Sequence, residues 1–246
     1  MKCKTQLLST VLLDQPLVNK VEEKSIALDN IPFIRVDVIN EAALLAEIQE
    51  LCSLPITAVF TSVHAVHAIS RVVYIAKPDW KIYCTSNATK NALLGYFHAS
   101  AIKGWADDAE ALAEVIIRND VQEVVFFCGN KHMDTLPQIL EESQVSVHEV
   151  VVYETVETPQ IISKEYDGIL FFSPSGVNSF FSINNIKADT VLFAIGKTTA
   201  GAIEQRTANK VIVSETPSKE QLVLQAMQYF YKRAMEIRPD QKQVNE

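Results

Sequence analysis

Several hallmarks of other protein classes are missing from this sequence of 246 residues. No stretch approaches the roughly 20 apolar residues that a membrane-spanning helix needs, so we expect no membrane partner. The motifs G-x-S-x-G, G-x-x-x-x-G-K-[ST] and G-x-G-x-x-G are absent, which argues against hydrolase, NTPase and dinucleotide-binding functions. The amino-terminal apolar run is brief and meets Asp14 and Pro16. We therefore expect no signal peptide and predict a cytoplasmic protein.

Cysteine is scarce, and its spacing fits neither a disulfide framework nor a zinc site. No C-x-x-C pair occurs, and the four cysteines are Cys3, Cys52, Cys84 and Cys128. His64 and His67 are three residues apart on a predicted helix, but no acidic or thiol partner lies at ligand spacing. We therefore predict buried, reduced thiols, surface histidines and no bound metal.

The sequence also lacks an excess of basic residues. Its net charge is −8 and its isoelectric point is near 5.2, which argues against a nucleic-acid partner. An anionic small ligand is still compatible with this charge, because helix dipoles and a few lysines can make a positive cleft in an acidic protein. The hydrophobic content of 48% is that of an ordinary globular protein.

The most informative stretch that is present is ILFFSPSGVNSFF at 169–181, which predicts a buried strand, a polar turn and an amphipathic helix. Buried strands of this kind belong to parallel sheets. Turns after them direct backbone N–H groups and the positive end of the helix dipole outward, where anions bind. Simple helix capping by Ser173 explains the same residues without a ligand.

The arrangement is repeated elsewhere in the chain. AVFTSVHAVHAI at 58–69 aligns Ser62 with Ser173, a shift of 111 residues. YCTSNATKNAL at 83–93 aligns Thr89 with Thr199, and Leu112 aligns with Leu222, each at a shift of 110. Because the segments keep their order and spacing, the sequence predicts a duplicated unit and two similar α/β lobes.

The order of the parts predicts how the lobes share the chain. The strand at 124–128, its helix and the extended 147–156 resemble the amino-terminal strand, the helix predicted over 17–28 and the strand predicted over 31–39, yet they follow the shared segments. We therefore predict a discontinuous lobe 1, formed by residues 1–30 and 160–235, and an inserted lobe 2, formed by residues 38–150. Two linkers, 31–37 and 151–159, run side by side, with a ligand cleft between the lobes. Residues 236–246 are predicted to be a frayed tail.

Together these segments resemble the uroporphyrinogen-III synthase family. The resemblance covers nearly the whole chain, and the motifs that carry it are FFSPSGV at 171–177, AIGKTTAGAI at 194–203, FTSVHAV at 60–66, SNAT at 86–89 and VVYET at 151–155. It implies two flavodoxin-like or Rossmann-like lobes with parallel sheets, joined by a two-stranded β linker.

The resemblance also implies a reaction. The family closes hydroxymethylbilane, a linear tetrapyrrole with an acetate and a propionate on every ring, with loss of water and inversion of the last ring. It implies a cofactor-independent carbon–oxygen lyase of tetrapyrrole and haem biosynthesis, which we expect to be a monomer without a metal. Such a protein works mainly by holding a reactive chain in one folded shape.

On this interpretation, turn residues at helix amino termini receive the substrate carboxylates. These candidates are Ser62, Thr89, Ser173, Ser175, Gly176, Lys197, Thr198 and Thr199. The resemblance places Tyr153, within VVYET, as the proton donor to the leaving hydroxyl. Helix capping by the hydroxyls and ordinary packing by Tyr153 are the alternatives, and a non-catalytic two-lobe sensor of small anions is the alternative function.

Overall fold

A computed structural model describes residues 5–85 and 88–236 of the chain. Cys3, residues Ser86 and Asn87 of the SNAT motif, and residues 237–246 of the predicted tail lie outside the described part of the chain. The chain divides into two compact units. Unit 1 comprises Met1–Arg35 and Val156–Glu246, and unit 2 comprises Val36–Thr155.

Strands and helices alternate through most of the described residues. The strands are β1 (Gln6–Ser9), β2 (Ala27–Asn30), β3 (Ile34–Val38), β4 (Thr57–Phe60), β5 (Lys81–Thr85), β6 (Ile102–Ala106), β7 (Glu123–Gly129), β8 (Ser146–Glu157), β9 (Gly168–Phe171), β10 (Val191–Ala194) and β11 (Val211–Val213). The helices are α1 (Gln15–Glu22), α2 (Ala42–Cys52), α3 (Val63–Ala76), α4 (Ala88–Leu94), α5 (Ala109–Arg118), α6 (Thr135–Glu142), α7 (Pro174–Phe181), α8 (Lys197–Glu204) and α9 (Lys219–Glu236), with a short 3₁₀ turn at Ala99–Ala101.

Unit 1 is built on a five-stranded sheet in the order β11-β10-β9-β1-β2. Its neighbouring strands pair in parallel. Counted along the unit, this is the order 2-1-3-4-5 of flavodoxin-like sheets. The two faces are covered by separate apolar clusters, one around Phe193 and Phe230 and the other around Phe171 and Phe180. A central strand such as β9 is buried along its whole length, which explains its continuous apolar run.

Unit 2 carries a six-stranded sheet in the order β3-β8-β7-β4-β5-β6. From β8 to β6 the neighbouring strands pair in parallel. Stacked rings of Phe60, Phe127 and Trp80 fill one face, and the Trp80 indole N–H donates to the Leu51 carbonyl over 3.0 Å. The other face buries Leu112 and Ile116 of α5.

The duplicated segments fold in the same way in both units. The run β4-α3-β5-α4 of unit 2 has its counterpart in β9-α7-β10-α8 of unit 1. In each sheet the strand beside that run comes from elsewhere in the chain, β7 in unit 2 and β1 in unit 1. The prediction of an α/β protein with two similar parallel sheets is therefore confirmed, whereas the two-stranded linker stays a prediction.

Two parts of the predicted secondary structure were wrong. The helix expected over 17–28 ends at Glu22, and β2 follows it and pairs with β1. Leu17, Val21 and Leu28 fall at helical spacing, but Ser25 adopts a left-handed conformation with φ of 60° that breaks the helix. The edge strand β6 was missed, because Gly104 lies at a buried position and the apolar Trp105 at an exposed one, so the residue types do not alternate as expected for a strand. A bulge also interrupts its pairing with β5.

Candidate functional site

The turn between β9 and α7 begins with a capping serine. The Ser173 hydroxyl accepts a hydrogen bond from the Gly176 N–H over 3.1 Å, and Pro174 occupies the first turn of the helix, where its missing N–H costs nothing. Ser175 is half-buried. The buried Thr10 hydroxyl, which sequence reasoning missed, lies beside Gly176 and donates to the Leu170 carbonyl over 2.8 Å.

A second turn of unit 1 begins α8, directly after the neighbouring strand β10. Gly196 precedes this helix and has no side chain with which to cap it. Lys197 and Thr198 are exposed, whereas Thr199 is only 3% exposed. Because β9 and β10 are parallel neighbours, both turns lie at the carboxyl edge of the same sheet. The amino termini of α7 and α8 and the Lys197 ammonium suit an anion there.

Unit 2 presents the corresponding turns at its own sheet edge. The Ser62 hydroxyl caps α3 and accepts from the His64 N–H over 3.1 Å. Thr89, in α4, is 5% exposed, and its hydroxyl lies 3.1 Å from the Thr85 hydroxyl. Thr85 also lies 3.2 Å from the Thr61 carbonyl. The Thr85–Thr89 pair therefore ties the two turns of this unit together.

Tyr153, on β8, reaches the first of these turns. Its phenol donates to the Ser62 hydroxyl over 3.1 Å, which brings together two residues that sequence reasoning proposed separately. The His64 ring lies against the Tyr153 ring, with 5.6 Å between their centroids. Burial raises the pKa of Tyr153, while the hydrogen bond with Ser62 acts in the opposite direction. The phenol is therefore protonated through neutral pH.

A glycine on β7, the strand between β8 and β4, leaves room for the contact between Tyr153 and Ser62. β7 lies between β8 and β4, and Gly129 at its end pairs with Tyr153. A Cβ built on Gly129 would lie 2.4 Å from Tyr153 Cε2, far inside van der Waals contact. The Tyr153 ring thus crosses β7 where a side chain is missing. The turn after Gly129 also restrains the backbone of Tyr153, since the Asn130 N–H donates to the Tyr153 carbonyl over 3.1 Å.

The Ser62–Tyr153 pair has a defined hydrogen-bonding capacity. A serine hydroxyl offers two acceptor lone pairs and one donor. In this structure the Ser62 oxygen accepts from both His64 and Tyr153. The hydroxyl hydrogen of Ser62 is then directed elsewhere, so the pair offers one donor to an oxygen-rich ligand, the Ser62 O–H. The phenol can give its own proton to a ligand only by turning away from Ser62.

The model of the family described as uroporphyrinogen-III synthase HemD matches residues 15–224. The chain belongs to this family. The match spans both units and includes the turns described above together with Tyr153.

Solved structures of uroporphyrinogen-III synthases share the fold at low sequence identity. A mutant enzyme from Thermus thermophilus gives a TM-score of 0.64 at 14% identity, covering 95% of this chain and 100% of its own. Uroporphyrinogen-III synthetase from Helicobacter pylori gives 0.64 at 16% identity, covering 92% and 99%. These structures support the fold of this family member, while its function is indicated by the family match.

Across residues 5–85 and 88–236, every helix is too short or too polar to cross a membrane. The roles predicted for the turn residues and for Tyr153 stay predictions. Thr10, Thr85 and Gly129 were not proposed as site residues from the sequence. Of these, Gly129 had a sequence signal, since it ends a buried strand directly before polar residues.

Proposed function

We propose that the protein converts hydroxymethylbilane into uroporphyrinogen III, closing the ring with inversion of the last pyrrole and loss of water. The observation that carries this proposal is the family match over residues 15–224. The function belongs to tetrapyrrole and haem biosynthesis. Neither the family match nor the solved structures support the alternative of a small-anion sensor.

In the proposed mechanism Tyr153 is the general acid. When substrate binds, the Tyr153 O–H turns from Ser62 to the terminal hydroxyl of the substrate; the O–H bond then breaks as that hydroxyl takes the proton and leaves as water. The azafulvene cation that results is attacked by the last ring at its substituted carbon. In the spiro intermediate the bond from that carbon to the original bridge breaks, and the freed bridge carbon bonds to the free α carbon of the inverted ring. The hydrogen of that carbon leaves as a proton, which restores the Tyr153 phenol. Proton transfer by a positioned side chain typically contributes about 10²–10⁴-fold to a rate.

Ser62 has a proposed positioning role in this step. The phenol is a weak acid, and burial raises the pKa of Tyr153 further, so its orientation matters more than its acidity. The hydrogen bond to Ser62 fixes the direction of the phenol in the resting protein. After proton transfer, the Ser62 hydroxyl can turn and donate to the phenolate, which lowers the cost of its negative charge.

The turns are proposed to bind the acetate and propionate groups. In unit 1 the start of α8 combines a helix amino terminus with the exposed Lys197 and Thr198, which suits a carboxylate. Ser173, Ser175 and Gly176 supply hydroxyl and amide groups at the neighbouring helix start. Thr199 and Thr89 are nearly buried, so we propose that they contribute mainly by holding their turns.

The proposal is tested by giving fresh hydroxymethylbilane to the purified protein after treatment with a metal chelator and dialysis. Because the mechanism uses only protein groups, we expect closure well above the spontaneous rate under these conditions. Closure at the spontaneous rate in both treated and untreated protein would contradict the proposed activity. Recovery that requires an added cofactor would contradict its cofactor independence alone.

A further inference from the structure

Three potential metal ligands converge at one side of the unit 2 sheet. Cys128 lies near the end of β7, His132 in the turn that follows it, and Glu149 on the neighbouring strand β8. Their ligand atoms, one from each residue, all lie within 4.8 Å of one another. Among the described residues, these three are the histidine, cysteine and acidic side chains that come close enough together to share a metal ion. The burial runs from the enclosed Cys128 to the exposed Glu149, so the group has an opening to solvent.

The orientation of the His132 ring points to a cation. Its Nδ1 lies 2.9 Å from the Gly129 carbonyl oxygen, and since a carbonyl only accepts, Nδ1 carries the hydrogen. Its Nε2 lies 3.2 Å from Glu149 Oε1. In the neutral ring this nitrogen presents a lone pair to a carboxylate, an unfavourable pairing unless a positive charge lies between them. Metal-bound histidines characteristically donate their other N–H to a backbone carbonyl in this way.

The distance between these two ligands fits a shared metal. Zinc binds imidazole nitrogen at about 2.0–2.1 Å and carboxylate oxygen at about 2.0–2.2 Å, so two such ligands at a tetrahedral angle are about 3.3 Å apart. The observed separation is 3.2 Å. The Cys128 sulfur supplies the third ligand. Asp134 Oδ1, 3.9 Å from Nε2, and solvent are the neighbours from which a fourth ligand can come.

We propose that Cys128, His132 and Glu149 form a binding site for a zinc-like divalent transition metal, with three protein ligands and a fourth position open to solvent. One thiolate, one imidazole and one carboxylate favour zinc over magnesium or calcium, which prefer oxygen ligands alone. Binding releases the thiol proton of Cys128, because the metal coordinates the thiolate. The expectation of no metal rested on the spacing of the cysteines and of His64 and His67 along the sequence, and spacing along one chain does not reveal residues that adjacent strands bring together.

The site would stabilise the segment that holds Tyr153. The turn between Cys128 and His132 contains Asn130, whose N–H donates to the Tyr153 carbonyl and whose side-chain oxygen accepts from the Thr155 N–H over 2.8 Å. A cation that joins this turn to β8 restrains the same segment. Because the metal binds only the folded site, we expect it to raise the melting temperature of the full chain.

Cobalt(II) titration of the full-length, chelator-treated protein tests the proposal, since cobalt reports thiolate ligation by a sulfur-to-metal absorption band. We expect one equivalent to bind, with that band and a tetrahedral visible spectrum, and added zinc to displace it. Cys128→Ser should abolish the sulfur band. Because Cys128 is buried and its replacement can disturb folding, His132→Gln and Glu149→Gln are the second test, and each should weaken binding at least about tenfold.

Cys52→Ser is the matched control, because Cys52 is a more accessible thiol of the same unit and lies outside the group. It should retain the full cobalt spectrum and the rise in melting temperature with zinc. A sulfur band that survives Cys128→Ser but disappears in Cys52→Ser would overturn the proposal. So would the lack of any saturable binding, which would leave His132 and Glu149 as an imidazolium–carboxylate pair.

Discussion

The phenol of Tyr153 donates a hydrogen bond of 3.1 Å to the hydroxyl of Ser62, a residue 91 positions earlier in the chain. The contact passes over Gly129, whose strand separates the two residues in the sheet. A helix cap, a strand end and a glycine thus combine around one hydrogen bond, at the group that we propose to be the proton donor. Substitutions can test each part of that group separately.

Tyr153→Phe removes the phenolic proton and keeps the ring. We expect the rate of uroporphyrinogen III formation to fall by about 10²-fold, the lower end of typical general-acid contributions. The far-ultraviolet circular dichroism and melting temperature should stay close to wild type. The measurement is the initial rate with fresh hydroxymethylbilane.

Tyr83→Phe is the matched control for that substitution. Tyr83 is 4% exposed and lies on β5 of the same unit, packed in an apolar cluster. Its loss of a hydroxyl should leave the rate unchanged. Wild-type turnover in Tyr153→Phe would remove Tyr153 from the mechanism.

Ser62→Ala should lower both stability and activity, because Ser62 caps α3 and orients Tyr153. The loss of a serine cap costs about 1 kcal/mol in the free energy of unfolding, which denaturant titration measures. Ser173→Ala, the corresponding cap of α7, should cost a similar amount. Because Ser62 also contacts the proposed general acid, Ser62→Ala should change the pH dependence of the reaction rate, whereas Ser173→Ala should not. If the two variants change the pH dependence equally, Ser62 has no positioning role.

Gly129→Ala should displace the Tyr153 ring, since the new methyl group would lie 2.4 Å from it. We expect a loss of about 1–3 kcal/mol in the free energy of unfolding, typical of overpacking, together with reduced activity. Gly201→Ala is the control. Its Cβ meets nothing within 4 Å inside α8, so it should stabilise the protein by about 0.5–1 kcal/mol. Equal effects of the two substitutions would contradict the close approach.

The stability of the protein should fall in alkali, partly through Tyr166. Burial and then the hydrogen bond of 2.6 Å to Asp29 raise the pKa of Tyr166 above its ordinary value of 10.0. In the unfolded chain the phenol loses its proton first, so the contribution to stability is complete below about pH 10 and is lost as the pH rises above it. Urea unfolding across that range should show a shallower decline for Tyr166→Phe. Parallel curves for the variant and the wild type would refute this assignment.

The sequence was most informative where local patterns and tertiary structure agree. The apolar runs of β4 and β9 and the serines after them predicted strand, turn and helix, because buried parallel strands and helix caps have local signals. The sequence did not predict β2, because Leu28 of that strand continues the helical spacing of the apolar residues of α1. The lateral contacts of Tyr153 and the convergence at His132 depend on which strands become neighbours, and single-sequence patterns carry no such information.

We propose that the protein controls how a linear tetrapyrrole folds before its ring closes. The most direct measurement is the ratio of uroporphyrinogen III to uroporphyrinogen I formed from fresh hydroxymethylbilane, with and without the protein. We predict that the III isomer dominates with the wild-type protein and that the I isomer forms in buffer alone. Formation of only the I isomer, at the spontaneous rate, in the presence of folded protein would contradict the account.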